Sequence, residues 1–509
     1  MSFLKTDKKF FFFLLLLGLY WGIALEPAML IRIYVINNIY DKIIIFLDWC
    51  FVSFMALCLL GLLAINKYVF AIFFPVLNII CAVLTYYLIA FNYTFNSGIL
   101  DAALHCDDMR IVMDVISWQL VLFVIVYLGI SILFVWYRFK IGSIAHPIWY
   151  SLPMLMIILA VNLNRHYNYT KDRVPYNLYY VCKDYLQIKK KKNNYRPDQT
   201  AGTTCNEDSL TVVYVQGESL REDHLSLNGY VRQTTPLLQR DSVISFSNIY
   251  SPYTYTNPSL AYIFTNADSL HENRAYTNRS FISFFKKCGF KTIWIGNQEL
   301  DEGFVYYAHE CDSIVLQNIG EFEFDYKPSV WLDEDLLQPY KNFIAQHGKL
   351  KLAVVHTIGS HYFYTTHYTK DFAVFKPELT SRIITLNTQQ QIINSYDNTI
   401  LYMDFVVDQI IQSLKDKNAM LIFLSDHGES LGENGKWLHA HNEEMSNHRP
   451  ACFVWLSDKY KQQNPLAAAT LKHNAHLYFN SSFLFPSILD AAHIHTPLLD
   501  TNMSIFRMK

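Results

Sequence analysis

The chain has 509 residues, a formal net charge of −2 and 16% aromatic residues. That length exceeds one small domain and leaves room for a membrane unit beside a large catalytic one. The near-neutral balance gives no reason to expect nucleic acid as a partner.

Apolar and aromatic residues concentrate in the first third. Five apolar stretches occupy roughly residues 10–33, 43–65, 68–91, 119–137 and 146–162, and a helix needs about 20 residues to cross the hydrocarbon core. The first stretch is too long for a cleaved signal peptide, lacks a small-residue cleavage site and is followed by four more. A buried soluble bundle is the alternative, but a run such as FFFFLLLLGLYWG would not stay soluble during folding. With the N-terminus inside, Lys5, Lys8, Lys9, Lys67, Arg138 and Lys140 are cytoplasmic, against Arg32, Lys42 and Arg110 on the opposite loops. This positive-inside bias and five spans put everything after residue 162 outside the cytoplasm. The expected layout is a five-helix transmembrane domain over 1–162, a juxtamembrane linker over 163–205 and an extracytoplasmic catalytic domain over 206–509.

In the linker, Leu178, Val181, Tyr185 and Ile188 recur at three- and four-residue spacing after a helix-starting Pro175, and Lys189–Lys192 follow. Two readings stay open: an interfacial helix with its basic end near anionic headgroups, or a solvated linker helix.

The tail reads as an alternating α/β domain with a mostly parallel central sheet. Buried parallel strands are expected at TVVYVQ (211–216), KTIWIG (291–296), KLAVVHTI (351–358), AMLIFLSD (419–426) and ACFVWLSD (451–458), with a helix over 390–415. The cysteines show no CxxC and no zinc-finger spacing, so a cysteine metal site is not expected. A Cys288–Cys311 disulfide stays open in an oxidising compartment.

In sheets of this kind, functional groups collect beyond the carboxyl ends of the strands. Gly217-Glu218-Ser219 follows the first strand, His356-Thr357-Ile358-Gly359-Ser360-His361 ends the third, and Ser425-Asp426-His427-Gly428-Glu429-Ser430 follows the fourth. Taken alone, an acidic strand end is often a helix cap and a histidine a packing residue. Together, a carboxylate, an Asp-His pair and further histidines make a nitrogen/oxygen donor set suited to zinc.

The segment GESLREDHLSLNGYVRQTTPLL (217–238), with HTIGSH (356–361) and SDHGESLGENG (425–435), resembles the lipid A phosphoethanolamine transferases. That group includes the mobile colistin-resistance enzymes and belongs to the alkaline phosphatase/sulfatase superfamily. The resemblance extends over nearly the whole chain, since those enzymes have five membrane helices and a periplasmic catalytic domain. It implies that Glu218, Asp426 and His427 are zinc ligands, and that Thr256, in SPYTYTNPS (251–259), is the nucleophile completing the zinc sphere. His361 and His439 match histidines that hold the transferred phosphate or a second zinc, and Glu429 matches a supporting carboxylate. The implied enzyme is a monomer in the bacterial inner membrane, among membrane lipids. It moves phosphoethanolamine from phosphatidylethanolamine to lipid A, or to the lipopolysaccharide core, through a phosphothreonine.

Ser251, Thr254 and Ser259 lie close to Thr256, and a hydroxyl there can serve only as a helix cap. The segment also resembles the sulfatase pattern C/S-x-P-S-R, read as Thr256-Asn257-Pro258-Ser259-Leu260, but lacks the Cys or Ser and the Arg. Relative to the colistin-resistance pattern, Pro252 and Tyr262 replace a cysteine pair, Glu302 stands where a lysine is common, and Ala102 and His105 replace Asn and Glu. The alternatives are transfer of phosphoethanolamine or phosphoglycerol to another envelope glycan, and a membrane sensor or scaffold with a decayed site.

Overall fold

The computed structural model describes residues 2–26, 39–91, 95, 100, 103–104, 116–144, 146–163, 173–192, 196–298, 304–317, 331–381 and 384–509. Arg32 and Arg110 of the charge comparison lie outside them. The chain divides into two compact units, one over 1–101 and 116–187, the other containing 188–509.

In the first unit, helices α1 (Ser2–Ala24), α2 (Ile39–Ile65), α3 (Lys67–Phe91), α4 (Trp118–Ile141), α5 (Pro147–Leu163) and α6 (Tyr176–Lys192) follow the apolar pattern. Among the described residues, three segments, Phe46–Ile65, Lys67–Ala90 and Trp118–Ile141, are long and apolar enough to cross a membrane. Five spans were expected, and α1 and α5 are the two of them whose described apolar runs are shorter. Lys5, Asp7, Lys8 and Lys9 leave α1 an apolar run of only Phe10–Ala24, and α5 has 17 residues, both under the ~20 a span needs. Arg138 is buried and donates to the carbonyls of Ala64, Ile65 and Gly142 at 2.6, 2.8 and 2.9 Å. It thereby satisfies carbonyls that the end of α2 leaves without partners in the helix. α6 starts directly after Pro175, as its sequence spacing predicts, and the Tyr176 hydroxyl donates to the Met55 carbonyl at 2.8 Å.

The second unit is built on a seven-stranded sheet. Its strands are β2 (Leu210–Gly217), β3 (Ile244–Phe246), β4 (Lys291–Gly296), β5 (Ser313–Leu316), β6 (Leu350–His356), β7 (Ala419–Ser425) and β8 (Cys452–Leu456), preceded in the chain by the short β1 (Thr204–Cys205). The spatial order is β3-β8-β7-β2-β6-β4-β5. β7, β2, β6, β4 and β5 are mutually parallel. Every residue of β2 and β7 is buried, which is why they read as unbroken apolar runs.

Segment 451–458 does form a strand, but β8 runs antiparallel to both β7 and β3. No crossover helix lies between residues 426 and 451 to carry the chain to the far end of the sheet. The chain therefore turns back from the edge where β7 ends. The long helix expected over 390–415 spans Gln389–Gln412, with Thr388 and Gln391 forming a reciprocal capping box at its start.

Register sets up the site. Gly217 pairs with Ser425 and Gln216 with His356, so β2, β6 and β7 finish at one level. The residues that follow them emerge along one edge.

Candidate metal centre

Two backbone features draw the strand ends together. Ser219 takes φ +57° just after Glu218, and Gly359 takes φ +53° opposite it. A Cβ at Gly359 would stand 2.9 Å from the Glu218 carbonyl oxygen, so only glycine fits this approach. The Ser360 amide donates to that carbonyl at 3.0 Å. Asp333, distant in sequence, accepts the amides of Ile358 and Gly359 at 2.9 Å each, holding the HTIGSH loop in place.

Glu218, Asp426 and His427 are essentially inaccessible to solvent. One oxygen of Asp426 accepts the amides of Ser219 and His427 at 3.1 and 2.8 Å. Its other oxygen, Oδ2, has no hydrogen-bond partner, and neither has His427 Nε2. The His427 Nδ1 lies 2.8 Å from the Gly428 carbonyl, an arrangement that places the ring proton on Nδ1 and leaves Nε2 a bare lone pair. Nε2 faces Asp426 Oδ2 at 3.2 Å and Glu218 Oε1 at 3.5 Å.

Burial lowers the His427 imidazole to about 4, the Asp426 charge only partly opposing it. Burial together with the Asp426 charge pushes the Glu218 carboxyl well up. Two buried carboxylates and an imidazole nitrogen converge here, and a cation among them would offset the cost of burying two acids side by side. The donor set of two oxygens and one nitrogen fits zinc chemistry. Ligand atoms of Glu218, Asp426 and His427 all lie within 4.8 Å of one another, as a metal-holding group requires.

Thr256 begins helix α7 (Thr256–Phe264), with Pro258 in its first turn. Its Oγ1 lies 3.2 and 3.3 Å from the two oxygens of Glu218. The neighbouring hydroxyls are engaged elsewhere. Ser251 donates to the Asp426 carbonyl and Ser259 to the Tyr255 carbonyl, each at 2.9 Å, and Thr254 donates to the Asn442 side chain at 2.9 Å. Tyr262, at one of the replaced cysteine positions, packs edge-on against Tyr253 at 5.8 Å.

A second group adjoins the first: His427, Glu429 and His439 also have ligand atoms within 4.8 Å of one another. His361 is not part of it, although sequence reading places a second metal beside His361 and His439. The His361 Nδ1 lies 2.6 Å from the Tyr362 carbonyl, and its ring is 5.8 Å from that of His439. Burial and the neighbouring His439 lower His361 to about 3, so it is a neutral ring. Burial also acts to lower His439, but the Glu429 carboxylate 3.0 Å from its Nδ1 outweighs this and raises it.

Sequence reading missed Tyr364, whose hydroxyl donates to the other Glu429 oxygen at 2.8 Å; no spacing pattern marks it. It misjudged His356, whose ring lies edge-on to Trp294 and Phe304 at 5.5 and 4.8 Å. Neither nitrogen of His356 has a hydrogen-bond partner, and burial lowers it to about 4. It is a packing residue behind the site. Glu302, Ala102 and His105 lie outside the described residues.

The chain is 33% identical over 302 residues to the phosphoethanolamine transferase EptA of Salmonella typhimurium, covering 57% of this chain and 54% of that protein. It is 33% identical over 282 residues to the Kdo(2)-lipid A phosphoethanolamine 7''-transferase of Escherichia coli, covering 53% and 49%. The matches therefore span about half the length of these curated relatives. In fold it is similar to the integral membrane lipooligosaccharide phosphoethanolamine transferase A of Neisseria meningitidis, with TM-score 0.80, 23% identity and 97% of each chain covered. The model of the family described as Sulfatase matches residues 211–494, more than half of the sequence, and the chain belongs to that family.

Proposed function

We propose that this chain transfers phosphoethanolamine from phosphatidylethanolamine to lipid A or the lipopolysaccharide core, through a phosphothreonine at Thr256. The observation that carries this reading is the position of Thr256 Oγ1, the hydroxyl of its segment that meets Glu218 beside the unpartnered atoms of Asp426 and His427. The similarity to phosphoethanolamine transferases supports the transferred group.

In this mechanism Glu218, Asp426, His427 and Thr256 hold zinc, which when bound lowers the pKa of the threonine hydroxyl and draws charge from the phosphoryl group. Glu218 orients the hydroxyl. The first amides of α7 face an incoming anion, and His439, whose hold on a proton the Glu429 carboxylate strengthens, donates to the phosphoryl oxygens. Tyr364 fixes the Glu429 carboxylate that steadies His439. Diacylglycerol leaves first, and the acceptor then takes the group from Thr256.

The proposed layout is five membrane helices over 1–162, a linker over 163–205 and a periplasmic catalytic domain over 206–509, with the chain acting as a monomer in a bacterial inner membrane. Such an anchor suits the chemistry, because both substrates stay in the bilayer and only headgroups reach the site. The test is lipid A mass spectrometry in a heterologous Gram-negative host. A phosphoethanolamine increment that disappears with Thr256→Ala supports the reading. A phosphoglycerol increment, or an increment on another glycan only, overturns it.

A further inference from the structure

Tyr396 lies on the long helix Gln389–Gln412 and is fully buried. Its hydroxyl donates to the Ser219 carbonyl at 2.7 Å and accepts the Arg221 amide at 2.8 Å. One side chain thus grips the backbone on both sides of Leu220, in the loop that follows β2. Its ring stands edge-on to Tyr364 and to His224, at 5.4 Å from each, and His224 is fixed in turn by Asp397 at 2.7 Å. Packing on two sides gives the hydroxyl one set position.

Both residues that Tyr396 grips reach the metal centre. Ser219 donates its amide to Asp426 Oδ1 at 3.1 Å and its hydroxyl to Glu218 Oε1 at 3.0 Å. The Arg221 guanidinium donates to the Glu429 carbonyl at 3.1 Å and also binds Asp223 and Glu433. Glu218, Asp426 and Glu429 all belong to the two groups able to hold a metal. Ser219 stands at φ +57°, a region that residues with a side chain seldom occupy unless surrounding bonds hold them there.

We propose that Tyr396 is a positioning residue that sets the zinc affinity of the site. Its hydroxyl keeps Ser219 in the left-handed conformation, which holds Glu218 and Asp426 at their spacing, and through Arg221 it ties the same loop to Glu429. The inference rests on the reading that Glu218, Asp426 and His427 hold zinc. Without the hydroxyl, Ser219 is free to relax, and the Glu218 carboxylate and the amide that orients Asp426 move with it. The cation then has to order its own ligands, which weakens its binding. The effect passes through hydrogen bonds to the ligand-bearing loops, not through ligation by Tyr396.

The experiment uses the full chain in detergent, stripped with chelator and titrated with zinc against a chromogenic competitor. Tyr396→Phe keeps the ring and deletes the hydroxyl. Tyr460→Phe is the control, because that hydroxyl is also buried and donates to the Ala491 carbonyl at 2.7 Å, outside the metal-holding groups. Each variant leaves a buried backbone group unpaired, so both are expected to melt below the natural chain when chelated. The zinc dissociation constant is expected to rise about tenfold in Tyr396→Phe and to stay unchanged in Tyr460→Phe. No rise in Tyr396→Phe, or an equal rise in both, overturns the proposal. Should Tyr396→Phe fail to fold, Arg221→Lys decides. It keeps the amide bond to Tyr396, but one ammonium cannot serve Asp223, Glu433 and the Glu429 carbonyl as the guanidinium fork does. Weaker zinc binding supports the link, and an unchanged constant overturns it. A natural chain that takes up no zinc overturns the reading of the site itself, whereas zinc uptake with an unchanged constant in Tyr396→Phe overturns this inference alone.

Discussion

The Thr256 hydroxyl lies 3.2 Å from one carboxylate oxygen of Glu218 and 3.3 Å from the other. Both distances exceed the about 2.7–2.8 Å usual for a strong hydroxyl–oxygen hydrogen bond. The hydroxyl therefore straddles the carboxylate and is not locked to one oxygen. Glu218 directly follows a buried central strand and Thr256 begins a helix, so two rigid elements fix the pair. A nucleophile held this way can keep its direction while it loses its proton.

Asp426→Asn separates metal binding from folding. The Asn side-chain oxygen can keep the two amide contacts of Asp426 Oδ1, while its NH2, placed at the position of Oδ2, can donate to His427 Nε2 at 3.2 Å. One of two buried like charges is also removed. The chelated variant is expected to melt at or above the temperature of the chelated natural chain, while its zinc content falls at least about tenfold. Calorimetry with elemental analysis checks both. A chelated variant markedly less stable than the chelated natural chain contradicts the electrostatic account of the site.

Tyr364→Phe deletes the hydroxyl that donates to Glu429 at 2.8 Å. A buried carboxylate oxygen is left unpaired, at a cost of about 1–3 kcal/mol. His439 loses a steadied partner, and transfer is expected to fall about tenfold. Unchanged turnover in a headgroup-transfer assay would remove Tyr364 from the site.

Much of this site was legible because Glu218, Asp426 and His427 stand directly behind buried strands, and continuous apolar runs locate strand ends well. β4 was read to its end residues. The direction of β8 was not legible, because a run such as CFVWL is equally apolar whichever way it points. His356 was misjudged for a related reason. A strand-terminal histidine reads the same whether its ring faces the edge or, as here, Trp294 and Phe304. Tyr364 and Asp333 arrive from irregular segments whose path depends on tertiary packing. At α1 the charges that orient the helix also shorten its apolar run.

Asp404 supplies a pH test away from the metal. It is buried on the helix Gln389–Gln412 and accepts the amides of Leu237 and Leu238 at 2.9 Å each. Burial raises it to about 7, helped by Asp408 and Asp241 and opposed by the two amides, with Arg240 and Lys415 pairing to Asp241 beside it. A folded-state value above the unfolded one means that the native state binds the proton more tightly. Asp404 thus contributes stability that is complete below about pH 4 and lost as pH rises through about 7. Denaturant unfolding should show the natural chain losing a few kcal/mol between those limits relative to Asp404→Asn. Parallel pH profiles would contradict this.

The central claim is the covalent role of Thr256, and the direct measurement is the mass of its peptide after reaction with donor lipid alone. The zinc-loaded full chain is incubated with phosphatidylethanolamine in micelles without acceptor, quenched in acid and digested. The account predicts a phosphoethanolamine adduct on Thr256 that disappears when acceptor is added. An adduct on Ser251, Thr254 or Ser259, or full transfer by Thr256→Ala, contradicts it.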